Sequence, residues 1–130
     1  MATGQEVESR SHVVGFREEI AKAGDTSADA FFTWFDAASD KDAAFVRGSW
    51  DFALHIAKPA AAYLSKPQDK IALEIGHGGG RVLAAASRAF GRVVGVDIHD
   101  NNAQVEAELQ ARGVQNFRLI QADGSKIPLD

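Results

Sequence analysis

Cysteine is absent from the chain, which excludes disulfides and thiol chemistry and suits a reducing compartment. Long apolar runs are absent too. No stretch approaches the roughly 20 residues that a membrane span requires. The opening "MATGQEVESRSHVVG" lacks the apolar segment of a secretory leader. An excess of positive charge is also missing: 14 Lys and Arg stand against 18 Asp and Glu, a formal net charge of -4. No basic field is available to hold a phosphate backbone, so a nucleic-acid partner is disfavoured. Together these absences point to the cytoplasm, with no membrane association.

What is present is ordinary. The 130 residues, 45% hydrophobic and 25% charged, suffice for one compact domain with a single core. The first dozen residues are polar and read as a frayed end, and from Val13 to Leu64 the pattern is helical. "VVGFREEIAKAG" places Val13, Phe16 and Ile20 on one face, with Gly24 as a stop. "TSADAFFTWFDAAS" opens with Thr26 or Ser27 as an N-cap. A further helix carries Phe45, Trp50, Phe52 and Ile56, and Pro59 is expected to end or kink it. "PAAAYL" then fits a new short helix with proline at its first position. The aromatics of this region read chiefly as core, with one or two facing a ligand.

After the polar linker "SKPQDK" the period changes. "IALEI", "RVVGVD" and "NFRLIQAD" read as strands. "GGRVLAAASRAF" and "NNAQVEAELQARG" read as helices, with Val82, Ala85 or Ala86, and Ala89 on the buried side of the first, and Val105, Leu109 and Arg112 on one face of the second. Strands alternating with helices over short connections predict parallel pairing through right-handed crossovers. The expected fold is α/β, an open Rossmann-like half-sheet.

In such a sheet, ligands bind beyond the carboxyl ends of the strands. There the first strand runs into Gly76-His77-Gly78-Gly79-Gly80, a turn that brings bare backbone to a ligand. The helix that follows directs unpaired amides and the positive end of its dipole into the crevice. Asp97 ends the second strand about twenty residues on, where a carboxylate can accept both hydroxyls of a ribose. These features predict a site for an adenosine-containing ligand. A dinucleotide fingerprint needs a third glycine at the position of Arg81, and there it fails. Glu74 is unusual in a buried parallel strand and calls for amide or ammonium partners.

Taken as a set, "LEIGHGGGR", "VVGVD" and "QADGSKIPLD" resemble successive motifs of the class I S-adenosylmethionine-dependent methyltransferases. The resemblance spans residues 71–130. It implies S-adenosylmethionine as cofactor and S-adenosylhomocysteine as product, in methyl transfer to an acceptor it does not identify. Gly76, Gly78 and Gly80 would line the methionine moiety, with His77 in the same turn, and Glu74 would support the amino group. Asp97 would bind the ribose and Ile98 would pack on adenine. Asp123 would accept from the adenine amine, with Gly124 beside it.

Residues 1–66 would then be a helical cap and 67–130 a donor-binding half-domain. The family's sheet continues beyond its third strand, so the resemblance implies a truncated domain. "IALEI" would stand at an open edge, covered by further chain or by a second copy in a homo-oligomer. Two rival readings are a nicotinamide-dependent oxidoreductase and a non-catalytic binding or assembly module. A metal site is not expected. No pair among His12, His55, His77 and His99 has helical or hairpin ligand spacing, and only His77 and His99 come near one another, at neighbouring strand ends. Arg81, at a helix start, calls for an acid: Glu18, Glu19 or Asp51.

Overall fold

The computed structural model describes residues 41–129. The two helices expected over residues 13–38 therefore lie outside the described residues, as do Glu18 and Glu19. Residues Ser39–Asp130 form a compact unit, and the polar linker runs within it.

The unit opens with helix α1, Lys41–Asp51. It passes without a break into a π-helical segment, Phe52–Ala57, and a last α-turn, α2, Lys58–Ala60. As expected, the helix loses its regular form ahead of Pro59 and stops one residue beyond it, at Ala60, but no separate helix begins there. The reason lies just before it. The amide of Lys58 bonds to the carbonyl of Ala53, a widened turn that relieves the clash a proline ring makes with the preceding turn of a regular α-helix.

Three parallel strands follow in the order β1, β2, β3. They are Ile71–Ile75, Arg92–Asp97 and Phe117–Gln121. Helices α3 (Arg81–Ser87) and α4 (Asn102–Ala111) form the two crossovers. The register pairs Leu73 with Val94 and Ile75 with Val96, and on the other side Val96 with Ile120. The strands therefore end level, which gathers the three following turns at one end of the sheet.

Side chains alternate across each strand. Val94, Val96 and Ile120 share one face, where Ala122 and Ile127 pack against them. Ala72, Glu74, Val93, Gly95 and Asp97 fall on the other. Leu83, Ala84, Ala85 and Ala86 are the buried residues of α3. Leu83 thus takes the place expected for Val82, which stays half-buried. In α4, Val105 and Leu109 are fully buried, on the face expected of them. Arg112 follows the helix and lies over the Phe45 ring at 3.8 Å, while it pairs with Glu108 and Asp42. Of the other aromatics in this helix, Phe52 is buried and Trp50 exposed.

Candidate functional site

The glycine turn begins where β1 leaves the sheet. Gly76, Gly78 and Gly80 have φ of 79°, 53° and 83°, a region that L side chains rarely occupy. Their roles differ. A side chain at Gly76 would meet nothing within 4 Å, so bare backbone here faces open space. At Gly80 a Cβ would lie 3.1 Å from Val105 Cγ1 and 3.3 Å from Leu109 Cδ2. That glycine lets α4 pack close.

Gly78 is gripped from both sides. Its amide donates to Asp97 Oδ2 at 2.8 Å. Its carbonyl accepts from His77 Nδ1 at 2.9 Å and from His99 Nε2 at 3.1 Å. Asp97 Oδ1 takes the amide of Ile98 at 2.7 Å and, longer, that of His99 at 3.4 Å. The strand-end acid therefore knits the two turns together. Ile98 is half-buried beside it.

His77 does not face the crevice. Its ring is 3% exposed and lies edge-on to His99, with centroids 5.0 Å apart. Burial pushes its pKa below the ordinary imidazole range, so the ring is held neutral.

Ligand atoms of His77, Asp97 and His99 lie within 4.8 Å of one another, a grouping that the spacing of the histidines did not announce. The hydrogen bonds argue for a protein network there. The Asn101 amide occupies His99 Nδ1 at 3.1 Å, so the neutral ring carries its proton on Nε2. That proton and the one on His77 Nδ1 point at the Gly78 carbonyl, where a metal would require lone pairs.

Glu74 lies on the strand face that carries Ala72, electrostatically between Arg81 and Asp97. Its Oε2 is buried and has no hydrogen-bond partner among the described residues, so none of these supplies the expected amide or ammonium. Burial pushes its pKa up to about 7, against the lowering influence of the Arg81 guanidinium. Arg81 Nη1 donates to Asp51 Oδ2 at 2.5 Å, the one of the three acids considered for it that lies among the described residues.

Beyond β3, Asp123 Oδ1 accepts the amide of Ser125 at 2.8 Å and shapes a turn. Gly124 sits in that turn, and a Cβ there would lie 3.3 Å from Ile75 Cγ2. The turn thus reaches across the end of the sheet to β1. Glu74, the glycine turn, Asp97, Ile98, Asp123 and Gly124 all collect at the carboxyl end. The nearness of His77 and His99 was expected, but two contributors escaped the sequence reading: Asn102 and Gly95. Only their tertiary neighbours give them a role.

Residues 73–130 match the methyltransferase domain family. This segment carries the three parallel strands and the glycine turn. The chain is also 34% identical over 70 residues to a tRNA (guanine-N(7)-)-methyltransferase of Nitrobacter winogradskyi, covering 52% of this chain and 27% of that protein. The chain thus spans about a quarter of that relative's length. No solved structure matches it significantly. No helix among the described residues is long and apolar enough to cross a membrane.

Proposed function

We propose that the chain binds S-adenosylmethionine at the carboxyl end of its sheet, for methyl transfer. The observation that carries this reading is the buried, unpaired oxygen of Glu74 beside the open backbone of Gly76. A buried carboxylate without a donor is costly, and a ligand bearing an ammonium removes that cost. Glu74 takes the amino group, while Gly76 and Gly78 lie along the methionine moiety. Asp97 accepts from the ribose through the lone pairs its amide bonds leave over. Ile98 packs on adenine, and Asp123 with Gly124 reads its amino edge. Gly80 and His77 act by shaping the turn.

The bound cofactor supplies an electrophilic methyl group on a sulfonium and leaves as S-adenosylhomocysteine. The chain's own contribution is to hold the donor fixed and dehydrated against an acceptor. A net charge of -4 offers little attraction to an RNA backbone, so the relative's tRNA substrate is not carried over. The lack of cysteine suits the cytoplasm.

Calorimetric titration with S-adenosylmethionine and S-adenosylhomocysteine, and with a nicotinamide dinucleotide in parallel, tests the reading. Heat from the first two alone is expected. Heat from the dinucleotide alone would support the oxidoreductase instead, and no heat from any would remove the donor site.

A further inference from the structure

We infer that His77 is a positioning residue: it sets the orientation of the Gly78 carbonyl, and through it the shape of the donor turn. For its consequence on donor affinity this rests on the reading above; the geometry itself does not.

Three observations converge on His77. The first is the shared carbonyl. Gly78 O takes one N–H from His77 and one from His99, while the same residue's amide is held by Asp97. The two peptide units that flank the Gly78 Cα are thus each held by a hydrogen bond, so neither can rotate about that Cα without breaking one. Both φ, 53° at Gly78 and 79° at Gly76, belong to conformations that glycine leaves soft. The turn's rigidity must therefore come from outside it.

The second is the space made for the ring. Gly95 sits in the middle of β2, and a Cβ there would lie 2.8 Å from His77 Cδ2, 3.0 Å from His77 Cγ and 3.0 Å from Leu83 Cδ2. Glycine inside a strand weakens it. Here the missing side chain opens a slot between β2 and α3 that the imidazole fills.

The third is the far side of the ring. His77 Nε2 and Asn102 Oδ1 are both buried without a partner, and the Asn102 side chain is within hydrogen-bonding reach of His77. The two faces of an amide are interchangeable. Turned over, Asn102 presents its NH2 to the lone pair of Nε2, and the ring is held at both nitrogens. The charged and titratable neighbours around it are Asp97 at the end of β2 and His99 in the next loop.

The test uses His77→Ala, His77→Asn and Gly95→Ala, with two readouts. Amide exchange needs no ligand. In His77→Ala the Gly78 amide is expected to exchange at least tenfold faster while Val94, in the middle of β2, is unchanged. His77→Asn, which keeps a donor near the position of Nδ1, is expected to recover most of the protection. Gly95→Ala is expected to expose Gly78 likewise, and less so in the His77→Ala background, where the slot is empty. If Gly78 exchanges no faster in His77→Ala than in the wild type, the inference fails. Donor titration is the second readout, and a tenfold loss of affinity is expected in His77→Ala at temperatures where it is folded. A wild type that binds no donor defeats the functional reading, and the exchange arm then still decides the role of His77. Donor bound equally well by wild type and His77→Ala would overturn the link between turn and affinity.

Discussion

The Gly78 amide donates to Asp97 Oδ2 across 2.8 Å, although 19 residues separate the two in the chain. This bond joins the turn after β1 to the end of β2, so the acid has a structural task whatever ligand it serves. Asp97→Ala leaves the Gly78 and Ile98 amides without acceptors, which costs about 1–3 kcal/mol for a buried group left unpaired. Both folding stability and donor affinity are expected to fall. Urea unfolding and calorimetry on the same samples separate the two effects. Unchanged affinity would take Asp97 out of the ligand site and leave it as a structural residue.

The pH response of Glu74 has a definite sign. Its carboxyl is raised from 4.5 to about 7 in the folded protein, so folding favours the protonated form. Its contribution to stability is present in full below 4.5 and is lost as the pH rises through about 7. The full difference is on the order of 3 kcal/mol. Glu74→Gln, which keeps a neutral side chain of the same shape, should flatten stability across this window. An ammonium-bearing ligand reverses the preference, so donor binding near pH 6 is expected to release a proton. Calorimetry in two buffers of different ionisation enthalpy measures it, and identical heats in both would deny the coupling.

Arg81 acts on the same carboxyl from the side. Its guanidinium lowers the Glu74 pKa while it pairs with Asp51. Arg81→Met is therefore expected to move the Glu74 titration upward from about 7, as followed by carboxyl carbon chemical shifts. Both partners of the ion pair are about one-third exposed, so salt should weaken its contribution to stability. An unmoved Glu74 titration in the variant would show that the guanidinium does not act on it.

Much of this was legible in the sequence because it is local. Strand-helix alternation, the glycine run after "IALEI" and the acid closing "RVVGVD" depend on periodicity and spacing alone, and the three parallel strands follow from them. How the helix departs from α geometry ahead of Pro59 was not legible, because a π-helical segment six residues long leaves no mark in composition. The orientation of His77 was hidden for a different reason. A side chain in such a turn can face the crevice or the fold, and only the slot above Gly95 decides between them. The unpaired oxygen of Glu74 lies between these cases. Its need for a partner was readable, but that none of the described residues meets it depends on tertiary packing.

β1 stands at the edge of the sheet with Ile71, Leu73 and Ile75 exposed by 66%, 43% and 61%. Its outer backbone groups have no strand beside them among the described residues. Such an edge invites pairing. The chain on its own is expected to associate as concentration rises, and Leu73→Lys, which puts a charge in the centre of the edge strand, should reduce that. Light scattering over a dilution series reads both. A wild type that keeps its monomer mass throughout would show that this edge does not recruit a second copy.

Gly80 offers the sharpest separation between packing and binding. Its φ of 83° costs an alanine roughly 1 kcal/mol. The added methyl would also stand 3.1 Å from Val105 Cγ1 and 3.3 Å from Leu109 Cδ2, both side chains with almost no exposure and little room to withdraw. Gly80→Ala is therefore expected to cost roughly 2–3 kcal/mol in all, strain and overpacking together. Val105→Ala, on the other side of that contact, makes the room that the methyl needs. The double variant should lose less stability than the two single losses added together, a coupling that independent sites do not show. Gly76→Ala carries a similar φ of 79° without any contact, so it should show the strain and no coupling to Val105. Strict additivity for Gly80→Ala with Val105→Ala in urea unfolding would mean that Gly80 is not what admits α4 to the turn.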